Sequence, residues 1–102
     1  MEIKDQLAYF TEHHPEVYKA YAAYGKAVHE SGPLPEKTRW LIKTAISATE
    51  GYSFALITHI RKALKAGCTE AEIEHTLLLT APTVGFPRMM EALMRFREME
   101  KE

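Results

Sequence analysis

Apolar side chains recur at the three- and four-residue spacing of an α-helix along this 102-residue chain. No run alternates β-branched or aromatic residues with polar ones, as a half-buried strand would. A chain with this pattern buries one stripe per helix and forms a core only by packing its helices together. We therefore predict an all-α fold, a single domain over residues 1–102 built as a bundle of about six helices.

Proline and glycine divide this pattern into segments. Because the residue before a proline is pushed out of the helical region, His14 and Pro15 should separate the first two helices. The Ser31-Gly32-Pro33 turn should end the second helix, and Gly51 should separate the third from the fourth. The predicted helices are marked by Ile3, Leu7 and Phe10; by Val17, Tyr21, Tyr24 and Val28; by residues 36–49; by residues 51–68; by Ile73 and Leu77; and by Phe86, Met89, Leu93 and Phe96.

Two local signals refine the second half of the chain. Thr69 and Glu72 have the T-x-x-E spacing of a capping box, in which each side chain satisfies a free amide at a helix start. Residues 81–87 contain two prolines and a glycine, and we expect them to break the helical pattern before the last helix.

Charge and hydropathy exclude two classes of partner. Thirteen Lys and Arg oppose fourteen Asp and Glu, and neither sign forms a long block, so we expect no nucleic-acid partner. The longest uncharged run, residues 76–87, is much shorter than the roughly twenty residues that span a bilayer. We therefore expect no membrane segment.

Cysteine, histidine and chain length bound the remaining possibilities. One cysteine cannot form an internal disulfide, and the start MEIKDQ lacks a signal-peptide pattern, which favours a cytoplasmic protein. No H-x3-H pair places two ligands on one helix face, so we expect neither a metal nor another cofactor. A chain of this length often gains needed burial by assembling, and we expect a homo-oligomer.

His59 is the strongest candidate for chemistry. On a helical wheel it shares an arc with the small residues Ala55, Ala63 and Ala66, and Tyr52 falls almost in line with it. It should therefore point inward or into a cleft. An imidazole on an apolar face is either structural or catalytic, and residue type alone leaves both readings open. Cys68, at the end of the same segment, has no second cysteine and reads as a small buried filler.

Three segments resemble the carboxymuconolactone decarboxylase and alkylhydroperoxidase D-like family over about residues 34–96. They are P-E-K-T-R-W-L-I-K-T-A-I-S-A-T, A-L-K-A-G-C-T-E-A-E-I-E-H and T-V-G-F-P-R-M-M-E-A-L. The pattern H-x3-A-L-x2-G-x-T-x2-E-I, which begins at His59, carries most of the resemblance. The resemblance implies an alkylhydroperoxidase D-like helical fold and assembly into homotrimers or hexamers.

The resemblance also separates the family's activities. The peroxidase branch uses C-x-x-C-x-x-x-H, but aligned on His59 its cysteine positions hold Tyr52 and Ala55. The glutamate that its proton relay takes from the preceding helix falls near Trp40 in the same alignment. The chain therefore lacks the two thiols that the peroxidase reaction needs. The decarboxylase branch lacks cysteines too, and there a histidine at this position would do acid–base work on a small carboxylated lactone.

The site predicted on this basis contains His59 and Tyr52 as catalytic residues, with Arg39 and Arg88 as candidates for binding a substrate carboxylate. Two functions remain open. One is a decarboxylase or isomerase that uses His59, and the other is a non-catalytic oligomeric binding or scaffold protein. The roles of His75 and of the methionine-rich last helix also remain open, as does the choice between trimer and hexamer.

Overall fold

The computed structural model describes residues 2–99, and every regular element in that range is a helix. The helices are α1 (Ile3–His13), α2 (Pro15–His29), α3 (Glu36–Glu50), α4 (Ser53–Lys65), α5 (Glu70–Leu78), α6 (Ala81–Val84) and α7 (Phe86–Met99). The prediction of an all-α fold is confirmed. Six helices have nine residues or more, and α6 is a single turn of four. Within residues 2–99, no helix is both long and apolar enough to cross a bilayer.

The described residues fall into two compact units, divided after Pro33. The first unit contains α1 and α2, and α1 ends before Pro15 as predicted. None of the residues of these two helices is buried. The apolar stripe of α2 is exposed along its whole length, at Val17, Tyr21, Tyr24 and Val28. That the chain folds as one domain stays a prediction.

The second unit holds the core, which α3, α4, α5 and α7 build together. Ile60 of α4 and Ile73 and Leu77 of α5 are fully buried, and Phe96 of α7 packs in the same cluster. Trp40 of α3 is partly buried against this cluster. Because α3 and α4 are joined by only two residues, they pack against each other as a helical hairpin.

The structure corrects the prediction of one helix over residues 51–68, because α4 spans only Ser53–Lys65. Gly51 ends α3 in the left-handed conformation, with φ of 75°. Tyr52 then has non-helical backbone angles and precedes the first turn of α4. At the other end, Gly67 has φ of 103°, which a helix does not permit. Tyr52 is therefore the N-cap of α4 rather than a residue within the helix, and its alignment with His59 stays a prediction.

The two local signals of the second half have different outcomes. The capping box is confirmed, since Glu72 N donates to Thr69 Oγ1 at 3.0 Å and Thr69 N donates to Glu72 Oε1 at 2.8 Å. The predicted break at residues 81–87 contains the short helix α6, which accommodates Pro82 in its first turn. Gly85, with φ of 128°, then separates α6 from α7.

Candidate functional site

His59 lies on the face of α4 that packs against α3, and its side chain is half-buried. The Nδ1 atom is 2.7 Å from Ser47 Oγ and 3.2 Å from the main-chain carbonyl oxygen of Lys43. Ser47 is buried, and its hydroxyl also donates to the Lys43 carbonyl at 3.0 Å. The three groups form a closed triangle between the two helices.

This triangle determines which nitrogen of the imidazole carries the proton in its neutral form. A carbonyl oxygen only accepts hydrogen bonds, so the Lys43 carbonyl requires a proton on Nδ1. The Ser47 hydroxyl uses its own proton on the same carbonyl and accepts from Nδ1. Nε2 therefore holds a lone pair, and no residue within 2–99 forms a hydrogen bond with it. The imidazole is oriented as a base.

The surroundings of His59 also favour its neutral state. Burial lowers the pKa of the imidazole below 6.5, the hydrogen bond to the Lys43 carbonyl opposes this shift, and the Lys43 ammonium adds to it. The net direction is downward, so the neutral form dominates at pH 7.

An aromatic ring and a cation lie beside the imidazole. The centroids of the Trp40 and His59 rings are 5.9 Å apart, at an angle of 39°. The Nζ atom of Lys43 lies 4.9 Å from the centroid of Trp40, a cation–π contact. Burial, followed by repulsion from Arg39, lowers the pKa of Lys43. Arg39 is half-buried and lies one turn before Lys43 on α3.

Lys43 is the residue that sequence reasoning missed. Trp40, Lys43 and Ser47 have the i, i+3, i+7 spacing of one helix face, which is a readable signal. It becomes informative only when that face is known to meet His59, and the sequence does not give this pairing.

A cavity of about 270 Å³ lies where the end of α3 and the start of α4 meet α7. Its walls are formed by Ser47, Ala48, Gly51, Tyr52, Ser53, Leu56, Arg88, Glu91, Ala92, Met94 and Arg95. Two of the predicted site residues, Tyr52 and Arg88, meet there. His59 and Arg39 do not line the cavity. Ser47 connects the two places, because it lines the cavity and bonds to His59.

The sequence model of the carboxymuconolactone decarboxylase family matches residues 15–98. The chain belongs to this family. It is 31% identical, over 85 residues, to the uncharacterized protein MJ1511 of Methanocaldococcus jannaschii, covering 83% of this chain and 79% of that protein.

A solved structure supports membership of the carboxymuconolactone decarboxylase family. The chain resembles the crystal structure of apo-lpg0406, a carboxymuconolactone decarboxylase family protein from Legionella pneumophila, with a TM-score of 0.84 and 26% identity. The similarity covers 97% of this chain and 88% of that one. The suspected family and fold are therefore confirmed.

The positions of the family's peroxidase motif hold no sulfur in this member. Tyr52 is 59% exposed and Ala55 is half-buried on the first turn of α4. Trp40, at the aligned position of the relay glutamate, lies beside the imidazole. Cys68 is buried, and its Sγ atom lies 3.7 Å from the Lys37 carbonyl oxygen. Burial and then the Glu72 carboxylate raise the pKa of its thiol, which disfavours a thiolate.

The remaining candidates do not add to the site. His75 is exposed on α5. Of the last helix's methionines, Met89 is buried, whereas Met90 and Met94 are exposed. Among residues 2–99, no group of three His, Cys, Asp or Glu side chains is placed to hold a metal ion.

Proposed function

We propose that this family member catalyses thiol-independent acid–base chemistry on a small carboxylated substrate, as a decarboxylase or an isomerase. His59 is the proton-transferring residue. The observation that carries the proposal is the anchoring of Nδ1 by the Lys43 carbonyl and Ser47, which leaves the lone pair of Nε2 for a substrate.

The lowered pKa of His59 suits a general base at neutral pH. A general base must be unprotonated at the working pH and must stand in a fixed orientation. Burial supplies the first condition and the triangle of hydrogen bonds supplies the second. Ala55, one turn before His59 and on the same face, has a small side chain that leaves room beside the imidazole.

Lys43 and Arg39 are the residues we assign to the substrate carboxylate. Lys43 lies beside His59, Arg39 lies one turn before Lys43 on α3, and the repulsion between the two cations is relieved when an anion binds between them. The half-buried setting strengthens this attraction relative to open water. This assignment keeps the predicted role of Arg39 and adds Lys43.

In the isomerase form of the reaction, Nε2 takes a proton from a carbon beside the carbonyl group and returns it to a second carbon. In the decarboxylase form, the C–C bond to the carboxylate breaks and its electron pair forms a dienolate. The imidazole, neutral at the start, takes a proton from a water molecule at Nε2 and delivers it to the dienolate carbon, which restores the neutral imidazole. The hydroxide left from water combines with the released carbon dioxide as bicarbonate. Both forms pass a single proton through Nε2.

The test uses carboxymuconolactone as the probe and follows carbon dioxide release together with deuterium uptake from heavy water. We expect turnover by the wild-type protein and a loss of about 100-fold or more in His59→Gln, the usual scale for removing a general acid–base group. His75→Gln, an exposed histidine, is the matched control and should keep full activity. Equal rates in wild type and His59→Gln would refute the acid–base role.

A second function has its own supporting observation. The exposed stripe of Val17, Tyr21, Tyr24 and Val28 on α2 is costly to leave in water, and a second copy of the chain would cover it. A homotrimer or hexamer that serves as a binding scaffold would need this surface for assembly and would not need to turn over a substrate. In that case both histidine variants should leave function unchanged, while assembly persists.

A further inference from the structure

We propose that the cavity between the start of α4 and α7 binds a small organic carboxylate, with its charged end at Arg88 and its apolar body against Leu56, Ala92 and Met94. His59 does not line this cavity, and binding there does not require the proposed acid–base activity.

Arg88 is the residue that gives the cavity its ligand chemistry. Its guanidinium group lies directly over the α-carbon of Gly51, so closely that a Cβ at position 51 would collide with it. Arg88 is exposed to the cavity, and over residues 2–99 no hydrogen bond or ion pair engages its guanidinium group. A planar guanidinium with open donors binds a carboxylate with two parallel hydrogen bonds.

The other charged residues of the cavity leave its lining net positive. Arg95 adds a second cation, and Glu91 is the one carboxylate among the lining residues. Arg95 also pairs with Glu98 at 3.9 Å on the exposed surface of α7. Exposed pairs of this kind are weak, so Arg95 stays able to turn toward an anion.

The start of α4 adds to this preference for negative charge. Tyr52 precedes the helix without capping it through its side chain, and the first turn contains no acidic residue. The main-chain N–H groups at the start of α4 therefore have no side-chain cap to accept from them. No acidic side chain in the first turn neutralises the positive end of the helix dipole. The polar residues Ser53 and Tyr52 also line the cavity, whereas the Ser47 hydroxyl is engaged with His59 and the Lys43 carbonyl.

The size and the walls of the cavity favour an organic acid over an inorganic anion. Its volume of about 270 Å³ is several times the share of one water, roughly 30 Å³ in the liquid. Leu56 and Ala92 are buried, and Met94 is an adaptable side chain at the exposed rim. A fully hydrated ion such as phosphate would leave these apolar walls unused.

The experiment is calorimetric titration with benzoate and, separately, with inorganic phosphate. We expect saturable 1:1 binding of benzoate with a Kd near or below about 1 mM, as suits a ligand of this size. Arg88→Gln should weaken binding about tenfold or more, because it removes a charged pair of hydrogen bonds. Arg97→Gln is the control, since Arg97 is an exposed arginine of α7 outside the cavity.

A second pair of variants tests the apolar wall. Met94→Glu places a negative charge at the rim and should weaken benzoate binding, whereas Met90→Glu lies outside the cavity on the same helix and should not. The proposal is overturned if benzoate shows no saturable binding up to about 10 mM, roughly ten times the expected Kd. Equal affinity in wild type and Arg88→Gln would also overturn it, as would binding of phosphate without benzoate. Failure of His59→Gln to lose activity would refute the proposed reaction and leave these titrations unaffected.

Discussion

The Nδ1 atom of His59 lies 2.7 Å from the Oγ atom of Ser47, across the contact between α4 and α3. The Ser47 hydroxyl in turn donates to the Lys43 carbonyl, which also accepts from Nδ1. A hydroxyl that accepts from the imidazole is not being deprotonated by it, so Ser47 acts as a positioning residue for His59 rather than as a nucleophile.

This geometry predicts that neutral His59 is protonated on Nδ1. Nitrogen NMR of the imidazole above its pKa should show a protonated Nδ1 and an unprotonated Nε2. Ser47→Ala should preserve this tautomer, because the Lys43 carbonyl remains, and should lower the free energy of unfolding by about 1–2 kcal/mol through the loss of two hydrogen bonds, one to Nδ1 and one to the Lys43 carbonyl. Ser53→Ala, at an exposed serine, serves as the control. A proton on Nε2 in the wild-type protein would contradict the assignment.

The lowered pKa of His59 predicts a pH-dependent contribution to stability. Because the folded protein holds the imidazole with a pKa below 6.5, the unfolded chain binds more protons there between the two values. The contribution of His59 to the free energy of unfolding is therefore complete above pH 6.5 and is lost as pH falls through the folded pKa. Urea unfolding at about pH 7.5 and about pH 5.5, on either side of the reference value, measures the effect.

The matched variant for this pH experiment is His59→Gln. The difference in unfolding free energy between the two pH values should be smaller in His59→Gln than in wild type, since the variant has no titrating group at position 59. His75→Gln should reproduce the wild-type difference. An equal pH dependence in wild type and His59→Gln would show that His59 does not carry it.

The environment of Cys68 predicts an unreactive thiol. Buried, with a raised pKa, and with no partner thiol in the sequence, it should react slowly with alkylating reagents in the native protein and rapidly in denaturant. The protein should show negligible peroxide turnover with a dithiol reductant. Robust turnover that Cys68→Ser abolishes would contradict this prediction.

The exposed stripe of α2 predicts self-association. Sedimentation should give a mass three or six times the 11.6 kDa of the chain. Tyr24→Glu should weaken the assembly, because it places a charge on a surface that is 70% exposed in the isolated chain and covered in the oligomer. Lys26→Glu, on the same helix, is the control. A monodisperse monomer of the wild-type protein at micromolar concentration would refute the prediction.

The positions of most helices could be predicted from the sequence, whereas the residues of the site could be predicted only in part. Periodicity located the core residues Ile73, Leu77 and Phe96, and the capping box at Thr69 was legible because it depends on residues three apart. The start of α4 was predicted at residue 51, two residues too early, because a helical wheel assumes helical backbone angles that the connection after Gly51 does not have.

The charged residues near His59 could not be predicted from the sequence, for a different reason. Which cations lie near an imidazole depends on the pairing of helix faces, and one chain without its fold does not specify that pairing. Lys43 is brought beside His59 by α3, with Arg39 next to Lys43, whereas Arg88 lies over Gly51 from α7. Of the four predicted site residues, Tyr52 and Arg88 therefore lie together at the cavity, whereas His59 and Arg39 do not line it.

The two-residue connection between α3 and α4 has a consequence for how the molecule assembles. The partners of His59 are only 12 and 16 positions away along the chain, so their meeting costs little loop-closure entropy. Contacts this local tend to form early in folding, whereas the approach of Arg88 to Gly51 closes a much longer loop. We expect the imidazole triangle to be organised while α7 is still docking, so that the cavity is the last part of the unit to acquire its shape.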